Sequence, residues 1–235
     1  MKVSAIIPAA GSGQRFGEAK QYKKLGGRPV LFHALTPFMK CSKIDEVVIV
    51  VSDREIEHIK HQILSLSITK PIQVVAGGEK RQDSVKNGLN AISPTSTLVC
   101  IHDAVRPFVT EELIERSIVE CHNYDGAIVG IQSVDTLKIA EKKLVKSTVN
   151  RDVVWLAQTP QTFKKQKLID ALVNAQSECL AGTDESALME AMGFTITIVE
   201  GHPNNFKITT RDDWERAELL FGLKQNTAIG DENEV

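Results

Sequence analysis

The chain has 235 residues, 42% hydrophobic and 25% charged, which fits one large globular domain or two small ones and excludes a disordered or collagen-like chain. Its 28 Lys and Arg against 30 Asp and Glu leave a net charge of -2, so no bulk positive field is available to hold nucleic acid or an anionic membrane. Any phosphate ligand must therefore be bound by a few placed cations. The longest uninterrupted apolar runs, Val47 to Val51 among them, are five residues, far short of the ~20 that span a bilayer. A strand pattern starts almost at the first residue and leaves no stretch for a signal peptide. Cys41, Cys100, Cys121 and Cys179 are widely spaced, with no C-x-x-C pair, which excludes zinc-ribbon and thioredoxin readings. Without a leader or a disulfide framework, a reducing cytoplasm is the expected location. His58 and His61 share a helix face but have no second cluster, and they read as solvated.

Val3–Pro8 is the first expected strand, followed by Glu46–Val51. Ile56, Ile59, Ile63 and Leu66 recur at helical spacing after it, with Ser52 or Asp53 as candidate cap. Strands at Ile72–Val75, Thr97–His102 and Gly126–Ile131 come next. Between the last two, Leu113, Ile114, Ile118 and Cys121 form a helical stripe after Thr110. Short apolar strands alternating with amphipathic helices predict a Rossmann-like, mostly parallel α/β sheet with helices on both faces.

From Ser133 to Trp155 the rhythm changes. Thr136–Ala140, a charged turn and Leu144–Val149 read as a β-hairpin with too few apolar residues for its own core. A two-stranded ribbon is marginal alone, which leaves two readings open, a sheet extension or an arm clasping a second subunit. Beyond it, Lys164–Ala175, Glu185–Met192 and Arg211–Phe221 are expected helices. Strands are expected at Thr195–Glu200 and Asn205–Thr209, and Thr183 and Thr210 as N-caps. Residues 1–225 read as one domain including the arm at about 133–155. Residues 226–235, polar and acidic, read as a flexible tail.

The first strand runs into Pro8-Ala9-Ala10-Gly11-Ser12-Gly13-Gln14-Arg15-Phe16-Gly17. Small residues there let successive backbone N–H groups close on an anion. A dinucleotide fingerprint fails, because its third small position is Phe16 and no ribose-binding acid stands among residues 31–35. A P-loop fails for want of Gly-Lys-Ser/Thr. Arg15 and Lys20 bring two cations beside the glycine loop, as suits a polyphosphate that loses a group, since such transfer is mostly positioning and charge neutralisation. The plainer alternative is two ordinary surface cations.

Asp103 follows a buried strand directly, in the crevice where open α/β sheets bind ligands. It suits ribose hydroxyls or Mg²⁺, with Arg106 as a second phosphate fork. Gly77-Gly78-Glu79 to Ser84 is a strand-to-helix turn that is ordinary in isolation. Thr183-Asp184-Glu185 opens a helix, and its adjacent carboxylates point apart. Lys207 is a lone charge in an otherwise uncharged strand pattern. No Ser-His-Asp order, H-E-x-x-H or Cys/His pair competes with these.

Seven segments, AIIPAAGSGQRFG, KQY, GGEKRQDSV, HDAVRPF, VNRDVVWLAQTPQTF, TDESALMEAMG and VEGHPNNFKITT, run in order from Ala5 to Thr210. Together they resemble the 2-C-methyl-D-erythritol 4-phosphate cytidylyltransferases of the non-mevalonate isoprenoid pathway. The resemblance implies transfer of CMP from CTP to 2-C-methyl-D-erythritol 4-phosphate with Mg²⁺ or another divalent cation. It also implies a homodimer held by an exchanged β-arm. By resemblance, Arg15, Lys20 and Lys207 are catalytic. Pro8, Ala9, Ala10, Gly11, Gly13, Gly78, Glu79, Ser84, Asp103 and Ala104 surround CTP, with Asp103 also a candidate metal ligand. Arg106, Thr136, Arg151, Thr159 and Thr183 fall on acceptor positions, Thr136 and Arg151 reaching the other subunit's site. Ala19 stands where the family commonly has proline, and Glu79 where a shorter Asp is frequent. A chain ending at Val235 is expected to lack the fused cyclase known in some relatives. The alternatives are a cytidylyltransferase for another alditol phosphate, such as ribitol 5-phosphate, and a silent nucleotide-binding scaffold.

Overall fold

The computed structural model describes residues 1–11, 13, 16–66, 70–178, 180 and 182–231, with the side chains of 225–231 outside the description. β-Branched runs form strands and the amphipathic stretches between them form helices. The order is β1 (Lys2–Pro8), β2 (Lys24–Leu25), β3 (Arg28–Pro29), α1 (Val30–Lys40), β4 (Glu46–Val51), α2 (Ile56–Leu64), β5 (Ile72–Ala76), α3 (Arg81–Ala91) and β6 (Ser96–Ile101). Then follow α4 (Glu111–Glu120), β7 (Gly126–Gln132), β8 (Leu137–Glu141), β9 (Leu144–Val149), β10 (Trp155–Lys164), α5 (Lys165–Ser177), α6 (Glu185–Ala191), β11 (Ile196–Glu200) and α7 (Arg211–Asp231).

Seven strands form one sheet in the order β11-β7-β10-β6-β1-β4-β5. β10 runs antiparallel to both neighbours and the other pairs are parallel, the mixed α/β sheet expected. Strand alternation sends side chains to opposite faces. On β1, Val3, Ala5 and Ile7 join Leu35 and Phe38 of α1, Ile59 of α2 and Ile114 of α4. Ile6 goes to the other face, with Val85 of α3, Leu168 of α5 and Met189 of α6. Each fully buried Val, Leu, Ile or Phe contributes roughly 1.5–3 kcal/mol, so both layers are held by the sheet they cover. A third cluster, with Leu25, Phe108, Ile208 and Trp214, seats α7 against the β2–β3 hairpin and the loop after β6.

From β1 the chain proceeds to β4 and β5 on one side, then returns to place β6 on the other side. The loops leaving β1 and β6 therefore diverge, and a crevice opens at the carboxyl ends of these two strands.

Several boundaries differ from expectation for identifiable reasons. Asn205–Thr209 is not a strand, despite Phe206, Ile208 and Thr209. It crosses the loops at the strand ends, where single bonds hold it: Ile208 N donates to Val105 O (2.9 Å) and Asn205 Nδ2 to Thr159 O (2.8 Å). Neither Ser52 nor Asp53 caps α2, because a 3-10 turn at Asp53–Glu55 leads into it. Asp184, not Thr183, caps α6, its Oδ1 accepting from Ala187 N. Thr110 caps α4 as expected, and at α7 Thr210 Oγ1 accepts from Asp213 N while Asp213 Oδ2 accepts from Thr210 N. α7 continues to Asp231, so residues 226–231 are helical where a loose tail is expected; no proline interrupts the run. The hairpin is β8–β9, a separate two-stranded sheet. Cys41, Cys100 and Cys121 are buried free thiols; Cys179 lies outside the described residues.

Candidate active site

The loop after β1 is shaped from within. Gln21 Nε2 donates to Ala9 O (2.8 Å) and Gly11 O (2.7 Å), and Tyr22 Oη donates to Ala9 O (3.3 Å). Gly13 has φ +71°, and a Cβ there would meet Glu18 O at 1.8 Å, so glycine is required by both backbone and space. Ala19 has φ -73°, within the range that proline would impose, so the turn into Lys20–Tyr22 forms without it. Lys20 is only 8% exposed, its Nζ 5.8 Å from the Phe16 ring centroid. Arg15 lies outside the described residues.

The loop from β5 into α3 packs directly on this first loop. A Cβ on Gly77 would meet Ala10 Cβ at 2.4 Å and Ser84 Oγ at 2.8 Å. Ser84 Oγ accepts from Gly78 N (3.1 Å) and donates to Lys80 O (3.2 Å), while Asp83 Oδ2 accepts from Lys80 N (3.0 Å). The glycine pair is thus held open toward the crevice by the first turn of the helix behind it.

After β6, Asp103 meets three cations. Lys207 Nζ lies 3.0 Å and Arg106 Nε 3.6 Å from its Oδ2, and Arg81 Nε lies 3.4 Å from Oδ1. Burial alone would raise this carboxyl, but Lys207, Arg81 and Arg106 outweigh it and hold Asp103 well below the usual carboxylate range. Arg106 is itself buried, with Nη1 donating to Asn205 O (2.8 Å).

Beneath Asp103 a neutral chain fixes the loop. Asp103 N donates to Thr159 Oγ1 (3.1 Å), which leaves the Thr159 hydroxyl proton for His102 Nδ1 (2.9 Å); His102 Nε2 then donates to Arg106 O (3.1 Å). This assigns His102 as the Nε2–H tautomer. Burial pushes its pKa from 6.5 down to about 4. The folded state therefore binds a proton less readily than the unfolded chain, and stability falls as pH drops through 6.5 toward 4. At pH 5 the loss from this one group is about 2 kcal/mol. His102→Gln should remove that part of the acid sensitivity; unfolding midpoints measured at pH 7.5 and pH 5 check it, and an unchanged pH response in the variant would refute the assignment.

These loops enclose a cavity of about 540 Å³ at the switch point between β1 and β6. The family model for 2-C-methyl-D-erythritol 4-phosphate cytidylyltransferase matches residues 3–222. The chain belongs to this family. The enzyme of that name from Caldanaerobacter subterraneus subsp. tengcongensis is 40% identical over 225 residues, covering 94% of this chain and 99% of that protein. Its namesake from Geobacter metallireducens is 40% identical over 230 residues, covering 95% and 99%. The crystal structure of 4-diphosphocytidyl-2C-methyl-D-erythritolsynthase from Anaerococcus prevotii superposes with a TM-score of 0.84 at 34% identity, covering 94% of this chain and 98% of that one.

For a member of the cytidylyltransferase family, the sequence expectations divide cleanly. Pro8, Ala9, Ala10, Gly11, Gly13, Gly78, Glu79, Ser84, Asp103 and Ala104 all line the cavity, as do Lys20 and Lys207. Arg106 and Thr159 sit buried behind Asp103 instead. Thr183, Thr136 and Arg151 are exposed and outside it, the last two at the roots of the β8–β9 arm. Gln21, Lys80, Arg81 and Val105 also line the cavity without having been singled out. Gln21 and Arg81 fall inside the KQY and GGEKRQDSV segments, but nothing local marks a glutamine that will brace a loop, or an arginine that will reach a carboxylate on another element.

Proposed function

We infer that this chain transfers the cytidylyl group of CTP to 2-C-methyl-D-erythritol 4-phosphate, giving 4-diphosphocytidyl-2-C-methyl-D-erythritol and pyrophosphate. The observation that carries the reading is the single cavity lined at once by the glycine loop, the Ser84-braced glycine pair, Lys20 and Lys207. Its volume of about 540 Å³ suits a nucleotide. In this reading the small-residue first loop closes on the phosphates, Gly78 and Glu79 stand beside the base, and Asp103 and Ala104 stand on the ribose side.

The acceptor's phosphate oxygen attacks the α-phosphorus in line. The bond to the bridging oxygen breaks, and its electron pair departs on pyrophosphate. Negative charge builds on the α-phosphoryl and leaving oxygens, where Lys20 and Lys207 offset it. Arg15 is assigned to the same task by resemblance. No side chain needs to act as nucleophile.

A divalent cation fits this site as a companion of the triphosphate. Among the described residues no group of three or more His, Cys, Asp or Glu is placed to hold a metal, and Asp103 is the buried carboxylate at the cavity. Mg²⁺ is commonly held by one or two carboxylates together with substrate phosphates, so the CTP phosphates would hold it, with Asp103 as the candidate protein ligand. When bound, it would neutralise part of the charge on the triphosphate.

The reading extends to a homodimer that exchanges arms, in the cytoplasm. The β8–β9 ribbon leaves Val134 (82%), Leu144 (69%) and Val153 (74%) exposed at its faces and roots, and such a ribbon is marginal unless something packs on it. Thr136 and Arg151 lie outside their own chain's cavity, as residues serving a partner's site would. Buried free thiols suit a reducing compartment, and no described helix is long and apolar enough to cross a membrane.

Pyrophosphate release with CTP and Mg²⁺ tests the reading. Turnover is expected with methylerythritol phosphate and not with ribitol 5-phosphate, and chelation should stop it until Mg²⁺ is restored. Turnover on ribitol 5-phosphate alone would reassign the acceptor, and silence on both from folded protein would overturn the enzymatic reading.

A further inference from the structure

Glu185 is 1% exposed, yet it brings a carboxylate into the protein at the first turn of α6. Both its oxygens accept from Arg81 Nη1, at 2.6 and 2.7 Å. Its neighbour Asp184 points elsewhere, capping the helix and accepting from Gln161 Nε2 at 2.7 Å. Arg81 lines the cavity and Glu185 does not. With Nη1 engaged by Glu185, Arg81 keeps only a 3.4 Å contact from Nε to Asp103 Oδ1, while Lys207 holds Oδ2 at 3.0 Å.

The competition at Asp103 gives this arrangement its consequence. A guanidinium grips a carboxylate through a planar fork, whereas an ammonium is a point charge. An Arg81 with no other counter-charge would take Asp103 bidentately and displace Lys207. Burying Glu185 satisfies the arginine from behind and leaves one carboxylate oxygen to the lysine. Three cations (Arg81, Arg106, Lys207) then face two carboxylates (Asp103, Glu185), so the cluster keeps a net positive charge beside the cavity.

We propose that Glu185 is a positioning residue that, by engaging Arg81, keeps Asp103 available to Lys207 and so sets where that ammonium stands in the cavity. The effect on rate rests on the cytidylyltransferase reading; the effect on Lys207 itself does not.

The test has two arms. First, the purified enzyme and Glu185→Gln are treated with an amine-acylating reagent, and each lysine's labelling rate is followed by mass spectrometry. Lys207 should label about threefold faster in the variant, the change expected when a partly exposed ion pair is lost, with Lys60 and Lys146 unchanged. Unchanged Lys207 labelling overturns the proposal whatever the enzyme's activity. Second, kcat is measured in a double-mutant cycle. Glu185→Gln should lower kcat about tenfold in the wild-type background and less than about twofold in a Lys207→Ala background, because the group it acts through is gone. Equal losses in both backgrounds overturn it, since a merely structural defect would carry through unchanged. If Glu185→Gln fails to fold, Glu185→Asp carries both arms: it keeps the charge and withdraws it from Arg81 by one methylene. A wild-type enzyme without turnover would count against the function reading, and the labelling arm would still decide this one.

Discussion

Lys207→Ala and Lys20→Ala should each lower kcat by about 10²-fold or more, the usual scale for removing one electrostatic donor from a transition state. Lys20 is buried to 8% exposure against the braced first loop, so its charge is poorly screened and acts at close range. Lys207 is more open, with a side chain 35% exposed, but Asp103 fixes it at 3.0 Å. In the proposed reading neither is needed to recognise ground-state CTP, a task assigned there to the backbone of the first loop and of the Gly78–Glu79 turn. The loss should therefore fall mainly on kcat, with a smaller change in KM for CTP. Steady-state kinetics with pyrophosphate detection, on variants whose thermal unfolding is unaltered, measures the split. Wild-type turnover in both variants would remove these lysines from the mechanism. A rise in KM alone would make them binding groups.

Arg151→Ala and Lys20→Ala subunits should each be nearly inactive alone, yet active when combined in one dimer. Arg151 is exposed at the root of the arm, its Nη1 donating to Val134 O at 2.8 Å, and it does not reach its own chain's cavity. If arms are exchanged, a heterodimer contains one site with an intact Lys20 and an intact Arg151 from across the interface, and one site with neither. A purified heterodimer carrying two different tags should then recover about half of the wild-type activity per dimer. The gain from near zero to one half is too large to mistake for contamination. No recovery in any heterodimer would mean that each arm serves its own subunit. Full independence of Arg151→Ala from the wild type would remove the arm from the reaction.

The parts of the site that were legible in the chain are local ones. Pro8 to Gly13 stand out because close backbone approach to an anion favours small residues in consecutive positions, a pattern written within a few residues, whereas Gly78 and Ser84 read as an ordinary strand-to-helix turn and are picked out only by the family resemblance. Strand and helix periods were equally legible, since each depends only on neighbours two, three or four residues away. The Asn205 segment misled for the complementary reason. Its Phe206 and Ile208 have strand character, but whether a ladder partner lies alongside is a property of the assembled sheet ends, where only single bonds are available to it.

Composition and pattern alone therefore point to an α/β chain with a glycine-rich first loop beside two cations, Arg15 and Lys20, a strand-end aspartate, and Lys207 as a lone charge in an uncharged segment. The fold decides what those charges do. Arg81 meets Glu185 across 104 positions, His102 meets Thr159 across 57, and Lys207 finds Asp103 because Ile208 is bonded to Val105 at the crevice rim. A buried ion pair is chosen by which strand ends converge and by the low dielectric there, which forces every charge to find a partner. Neither condition exists until the sheet has formed.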